Sequence, residues 1–490
     1  MKRNPHAGQR GSGGFSLNVF TEDELREIHL ATLEVLEKTG LRVEDEEALA
    51  IFDGAGAKIE KDRMLVHLPP HLVEEAIRSA PARIFLAGRD PKHDLILGGN
   101  RIGFTNFGEG VYVIDLKSGE HRSSTKQDLA DAAKIIDYLD IIDVCQRAVG
   151  SRDQPEEVLT VHNAEAILTN TTKHCCLGPG DREHLKWIIE MAAAVAGGRE
   201  KLKARPILTL NICPTSPLKL GKQFCHIVVD AVRQGLPINV VDMAMAGATA
   251  PISLAGAITV QNAEILGGVV LSQLVRRGAP VIYGSTTTIM DLKRGASPMG
   301  CPEIGLVSAA AAKLAQFYQI PSWVAGGWGD GKISDAQAGH EKTLNLLQAA
   351  LAGANLIYGL GALETGLTLD FGQLVMDAEF AVMVKQVVKG IQVDDEMLAV
   401  DVIHEIGPFG DFISHEHTRR HMKALQSQPK LLDRRRRDFW RELGGADLAR
   451  RAREEAGRIL ATHKPEPLPG VVAATLSDIV RAAQDELCRS

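Results

Sequence analysis

Eight short apolar runs rich in β-branched residues recur along the middle of this chain, and they constrain its fold more than any other feature. They are residues Arg101–Phe104, Ile141–Val149, Thr171–Leu177, Pro206–Cys213, Pro237–Val241, Pro280–Tyr283, Pro321–Ala325 and Ala354–Tyr358. From Ile141 onward, each except the last is followed by a longer segment of helical periodicity, at the spacing of roughly 30 residues or more that a strand–helix–strand unit needs. Alternating strands and helices imply a parallel sheet, and eight units imply a (β/α)8 TIM barrel. Several strands are announced by a proline, as in RRGAPVIYG (Arg276–Gly284) and RQGLPINVV (Arg233–Val241), which marks a sharp entry into a buried strand. An open doubly wound sheet is the alternative.

The flanks read differently. Residues 1–14 are polar and Gly-rich, the composition of a disordered tail. Residues 15–100 form an N-terminal helical and β extension. Its first helix opens on the capping box Thr21/Glu24 and ends at Gly40. The barrel occupies 101–401. Residues 402–490 form a C-terminal helical extension, with charged amphipathic helices at Leu431–Leu443 and Ala446–Leu460. The linker PEPLP (Pro465–Pro469) then precedes a last helix ending near Cys488.

Lys and Arg total 55 against 62 Asp and Glu, a net charge of −7, which gives no hint of nucleic-acid binding. The run Arg434–Arg437 reads as a solvated helix face. The seven cysteines are odd in number, dispersed and without CxxC spacing, which suits a reducing compartment. No leader-like apolar segment opens the chain, and no window reads as a membrane span. A soluble cytoplasmic protein is expected.

In a parallel barrel the ligand site lies at the C-terminal ends of the strands. The repeat places there Asn106, Cys175 and Cys176, Cys213, Asp242, Ser285, Gly326 to Trp328, and Gly359 to Glu364. The segment Ser322–Glu341 is the most suggestive. It ends a strand, turns through a Gly-rich loop bearing Trp328, continues through Asp330 and Lys332, and opens a helix carrying His340. Ser334 and Gln337 form a capping box there. His340, Leu344, Leu347 and Leu351 then fall on one apolar stripe, with Glu341, Asn345 and Gln348 toward solvent. His340 is therefore expected to aim at the barrel, as a functional group or as a core histidine.

Only 4% of the chain is aromatic, yet Phe104, Phe107, Tyr112, Tyr283, Trp323, Trp328, Tyr358 and Phe371 fall around the expected strand ends. Aromatic faces suit a quaternary ammonium group, which has no N–H to donate. Trp323 reads as core, whereas Trp328 sits in a turn without apolar periodicity. His415–Glu416–His417 and Cys175–Cys176 lack a second half at ligand spacing, so no metal is expected. Neither a GxGxxG turn in a strand–helix unit nor a GxxxxGK[ST] loop is present, which argues against a nucleotide.

Several blocks resemble the trimethylamine methyltransferase superfamily of corrinoid-dependent enzymes. They are GATAPISLAGAITVQNAE (Gly247–Glu264), GAPVIYGS (Gly278–Ser285), the 322–341 stretch with ISDAQAGHEKTL, GDFISHEHTRRH (Gly410–His421) and DRRRRDFW (Asp433–Trp440). The resemblance implies a (β/α)8 barrel and methyl transfer to Co(I) of a separate corrinoid protein. No cofactor would be tightly bound, because cobalamin is carried by that partner, and a homo-oligomer is expected. The founding members carry pyrrolysine in the loop that here reads Gly327–Trp328–Gly329. Members lacking it are similar to demethylases of quaternary amines such as glycine betaine. The implied site has His340 as catalytic residue and Phe104, Asn106, Tyr112, Cys213, Tyr283, Trp328, Asp330, Lys332 and Glu364 as substrate-binding residues. Trp328 and Phe104 would hold the cationic head. His340, Lys332 or Asn106 would bind a carboxylate, with Glu264, Glu303 and Glu364 complementing the cation. Glu303 also suits a helix N-terminus after Pro302. The alternatives are a tertiary-amine methyltransferase and a non-catalytic quaternary-amine binder.

Overall fold

The computed structural model describes residues 17–488; the expected disordered tail at 1–14 lies outside them. Eight parallel strands close into a barrel in chain order. They are β1 (Gly103–Asn106), β2 (Ile142–Gln146), β3 (His174–Leu177), β4 (Leu208–Ile212), β5 (Ile238–Asp242), β6 (Val281–Ser285), β7 (Ser322–Ala325) and β8 (Leu356–Leu360). Closure is made by β8 against β1, with Ile357 opposite Phe104 and Tyr358 opposite Thr105. Nearly every strand residue is buried, because helices cover the outside and side chains fill the inside. The eight-strand reading of the sequence therefore holds.

One strand is displaced: β1 runs from Gly103 to Asn106 rather than ending at Phe104. Its polar residues are tolerated because β2 satisfies them. Thr105 Oγ1 donates to Val144 O at 2.7 Å, and Asn106 exchanges bonds with the Gln146 backbone.

The outer ring comprises α1 (Lys126–Tyr138), α2 (Leu159–Asn170), α3 (Arg182–Ala196), α4 (Lys222–Gln234), α5 (Leu254–Val275), α6 (Pro302–Tyr318), α7 (Ala336–Leu351) and α8 (Phe371–Val388). Helix α5 corrects the expectation of no membrane-like window. It is 22 residues long and apolar enough to cross a membrane by length and composition, but 72% of that window is buried inside the protein. The reason is a second layer: helices Glu22–Glu34 and Pro70–Ser79 of the N-terminal extension pack on its outer side, so it needs apolar residues all round. The Thr21/Glu24 capping box forms as expected.

Loops at the C-terminal end of the barrel build a superstructure. A hairpin after β1 (Tyr112–Ile114 and His121–Ser123) joins strands after β8 (Ala362–Leu363 and Thr368–Asp370) in a four-stranded sheet over the β8–β1 seam. Beyond α8, helix Leu448–Thr462 packs on α8 and α1, and Gly470–Leu487 packs on α3 and α2. The helix expected at Leu431–Leu443 shrinks to Arg437–Glu442. Asp433 accepts from the backbone N–H of Arg435 and bonds its guanidinium, so the basic run turns at its start instead of continuing a helix.

Candidate functional site

Trp328 anchors the barrel mouth. It follows two glycines whose N–H groups, at 326 and 327, both donate to Tyr358 O on β8. This fixes the β7 turn to its neighbour and lowers the indole onto the β8 loop. The ring stands edge-on to Phe107 (centroids 6.0 Å apart) and to Tyr358 (5.7 Å), making three walls of an aromatic box. Only 8% of Trp328 is exposed, and its Nε1 has no partner among the described residues. Gly359 and Gly366 make room, both at positive φ (123° and 86°). A Cβ at Gly366 would lie 1.7 Å from Trp328 Cζ3.

A buried ion pair holds this turn from behind. Lys342 of α7 and Asp377 of α8 are fully buried, with Nζ 2.8 Å from Oδ2. Lys342 also donates to Gly327 O at 2.6 Å, and Asp377 Oδ2 accepts the Gly361 N–H at 2.8 Å. One pair thus pins the β7 and β8 loops that carry the box. Burial pushes the Asp377 carboxyl up and the Lys342 ammonium down, and their mutual attraction opposes both shifts.

Acids surround the opposite side. Glu109, at a positive φ of 76°, pairs with Arg147 (Oε2 to Nη2, 2.6 Å), with its side chain 56% exposed. A non-glycine residue held there stores strain of about 1 kcal/mol or more, which the structure sustains by aiming Glu109 over the mouth. Asp242, at the end of β5, accepts from Ala244 N–H and Thr287 Oγ1 with Oδ1, leaving Oδ2 without a donor among the described residues. The carboxyl of Glu264 from α5 lies beside it and accepts from Ser216 Oγ and Leu218 N–H, each at 2.7 Å. Burial first, and then the Asp242 charge, raise the Glu264 carboxyl far above its usual range. Glu264 is therefore protonated at neutral pH.

Cys213 is open to solvent at this mouth. Burial among protein atoms, followed by the charges of Asp242, Glu264 and Glu109, holds its thiol well above its usual range. Cys176 is held up likewise, by burial and then by Glu109. Neither is a thiolate, so the mouth holds no activated sulfur nucleophile. Tyr358 lies within the field of Cys213, Cys176 and Glu109, which places the aromatic box and the acids around one opening. A hydrogen bond joins its hydroxyl to Thr286 Oγ1.

Of the residues singled out from sequence, Trp328 and Cys213 stand at this opening, with Phe107, Tyr358, Asp242 and Glu264 beside them. The others do not. His340 is exposed. Helix α7 starts at Ala336, capped by Asp335 rather than Ser334, and buries Ala338, Lys342, Asn345, Leu346, Ala349 and Ala350. The inferred stripe was rotated because the inward face carries a lysine satisfied by Asp377 and an asparagine facing Gly305. Glu341, expected in solvent, turns back to accept the Asp330 and Gly331 N–H groups. Tyr283 points to the helix layer, its hydroxyl donating to Asn262 of α5 at 2.9 Å. Phe104 is fully buried core, and both ends of the Asn106 amide are occupied by backbone.

Asp330 braces the rim, accepting from Met299 N–H and Thr365 Oγ1. Lys332 is exposed and donates to Asp330 O. Glu364 accepts from Thr368 Oγ1, and Tyr112 stacks on His121, both in the superstructure. Sequence reasoning missed Glu109, Arg147 and the Lys342–Asp377 pair. Glu109 had a signal, as an acid between glycines just past a strand end; the pair had none, since its members lie on two helices.

The molecule is thus a (β/α)8 barrel whose mouth combines an aromatic box with an excess of carboxylates and carries no internal thiolate. Its sequence matches the family model for trimethylamine methyltransferase over residues 11–488. It is 50% identical over 480 residues to a trimethylamine methyltransferase of Desulfitobacterium hafniense, covering 98% of this chain and 97% of that relative. A glycine betaine methyltransferase from another strain of that organism is 34% identical over 466 residues, covering 94% and 96%. The chain belongs to the trimethylamine methyltransferase family and is a methyltransferase. Among solved structures, the monomethylamine methyltransferase of Methanosarcina barkeri shares the fold. Its TM-score is 0.51 at 11% identity, covering 89% of this chain and 92% of that one.

Proposed function

We propose that this enzyme takes a methyl group from a quaternary amine of the glycine betaine type and delivers it to Co(I) of a cognate corrinoid protein. The carrying observation is the mouth itself, where Trp328 stands edge-on to Phe107 and Tyr358 and the Glu109 carboxylate acts on Tyr358. Such a site stabilises a cation that cannot donate hydrogen bonds. Arg147 supports a zwitterion over a simple cation: among the described residues its Nε is buried without a partner, and it pairs with the half-exposed Glu109. A substrate carboxylate docked there forms a charge-assisted bond.

The residues work by positioning. The aromatic box fixes the ammonium head, Arg147 fixes the tail, and one N–CH3 bond points outward. When that bond breaks, its electron pair stays on nitrogen and a neutral tertiary amine leaves, so no proton donor is required. The corrinoid of the docked partner supplies the methyl acceptor. Seven free cysteines and a reduced cobalt acceptor both suit a reducing cytoplasm.

A second reading is a tertiary amine such as trimethylamine, favoured by the 50% identity to the relative of that name. The loop Gly327–Trp328–Gly329, in which the founding trimethylamine enzymes that the chain resembles carry pyrrolysine, has none here, and this favours the quaternary substrate. Methyl transfer to free cob(I)alamin, followed by its visible spectrum across glycine betaine, carnitine, choline and trimethylamine, decides between them. Transfer from trimethylamine alone would establish the second reading. Binding of betaine without any transfer would establish a non-catalytic binder.

A further inference from the structure

We propose that Glu396, His417 and His421 form a binding site for a divalent transition metal of the zinc class, which staples the C-terminal arm together. The arm, residues 389–451, contains helices Asp395–Leu398, Val400–Ile406, Glu416–Leu425 and Arg437–Glu442, yet not one of its residues is buried. Its large apolar side chains face outward, among them Ile391, Phe409 and Ile413. Four short helices without a core have no hydrophobic reason to keep one arrangement, and small modules of this kind are commonly held by a metal instead.

The ligands meet where such a staple would act. His417 and His421 are one turn apart on helix Glu416–Leu425, which puts both imidazoles on one face, ring centroids 4.6 Å apart. Glu396 arrives from the helix Asp395–Leu398, so the cluster joins two separate helices of the arm. A ligand atom from each of the three residues lies within 4.8 Å of the others. Two imidazoles and a carboxylate are the donor set that zinc takes with a fourth, water-filled position. Beside the cluster lies an open cavity of about 910 Å3 lined by Asp395, Asp401, Glu405, Asp411 and Glu416, an acidic surround that attracts a cation.

The present contacts yield with small movements. His421 Nε2 is 2.8 Å from Glu396 Oε1, and His417 Nε2 is 3.1 Å from Glu396 O. Arg420 also bonds Glu396 Oε1 at 3.1 Å, but Glu416 Oε1, 3.3 Å from the same guanidinium, is available to keep it. Spacing alone concealed the site, because the neighbouring His415 draws the eye to His–Glu–His. His415 instead caps the helix, with Nδ1 accepting the His417 N–H.

The test uses the full-length chain without a histidine tag, stripped with EDTA and titrated with Co2+. The expected result is a saturable visible d–d absorption, displaced by Zn2+, with slower proteolysis inside the arm once metal is bound. H421A and H417A should each lower Co2+ affinity by more than about tenfold, the loss already caused by removing an outer-shell partner of a metal ligand. Both histidines are part-exposed, and unchanged circular dichroism shows that these variants fold. No visible band, or bands equal in wild type and H421A, overturns the site. Metal binding that leaves arm proteolysis unchanged overturns the staple.

Discussion

Removing Lys342 should be among the most damaging single changes in the barrel. Its ammonium is fully buried, 2.8 Å from Asp377 and 2.6 Å from Gly327 O. Lys342→Met keeps most of the volume but leaves Asp377 charged in the interior with only the Gly361 N–H and the Gln373 amide. Breaking a buried pair this way costs about 3–5 kcal/mol. Asp377→Leu alone should cost a similar amount, by stranding the ammonium. The double variant Lys342→Met/Asp377→Leu removes both charges, leaving Gly327 O, Gly361 N–H and the Gln373 amide unpaired. At about 1 kcal/mol or more for each polar group left in the interior, its cost is again several kcal/mol. The two single costs therefore exceed that of the double by a coupling of about 3 kcal/mol. Urea unfolding of the four proteins, followed by tryptophan fluorescence and far-UV circular dichroism, measures this cycle. Costs that add within about 0.5 kcal/mol, the limit for independent sites, would refute the claim that these residues act as one clamp.

Three further outcomes follow from the mouth and the layer behind it. Gly366→Ala places a Cβ 1.7 Å from the Trp328 ring at a φ of +86°, so it should expel the indole, red-shift its fluorescence and reproduce the affinity loss of Trp328→Ala. That loss is about 1–2 kcal/mol for a quaternary ammonium ligand, and unchanged calorimetric affinity in both variants would dismiss the box. The Glu264 carboxyl is held above its usual range, so the folded chain keeps a proton that the unfolded chain releases above about pH 4.5. Stability from this group is present at low pH and falls as pH rises through that window. A bound cation drives the same proton off, so affinity should rise with pH, by up to about tenfold per unit. Asp242→Asn should flatten the dependence, and proton release counted by calorimetry in two buffers checks it. Tyr283→Phe should cost about 1–3 kcal/mol in urea unfolding, because Asn262 Oδ1 loses its buried donor; a neutral result would contradict its assignment to the helix layer.

The barrel was legible because strand burial on both faces writes itself as apolar runs, and eight of them recur at strand–helix spacing. Strand ends were legible as well, so Trp328, Cys213 and Asp242 were found by position. What failed was direction. Ranking residues by hydrophobicity turns His340 inward, and α7 violates that ranking, because its inner face carries Lys342 and Asn345. Burial of those groups depends on Asp377 and Gly305, which stand on other helices and leave no trace in the local pattern. Tyr283 failed similarly: alternation along a strand does not say which face is the lumen, and Asn262 waited on the outside. Asn106 shows a third limit, since a polar residue at a strand end serves the adjacent strand as readily as a ligand.

These failures bear on how the enzyme is built. The residues placed at the mouth are few: an indole, two other aromatic rings, the thiols of Cys176 and Cys213, the Glu109–Arg147 pair and the acids Asp242 and Glu264. The groups that cost most to bury, Lys342 and Asp377, stand one layer back and bind backbone on both aromatic loops. Such an arrangement fits a reaction in which the nucleophile arrives from outside. A permanent charge relay inside the mouth would have to be desolvated afresh each time a partner covered it, whereas backbone loops clamped from behind present the same aromatic surface whether open or covered. Catalysis by positioning requires that surface to be stiff, and the buried pair makes it so. Loosening the clamp should accordingly slow methyl transfer more than it weakens amine binding, because binding tolerates a displaced ring and an in-line transfer does not.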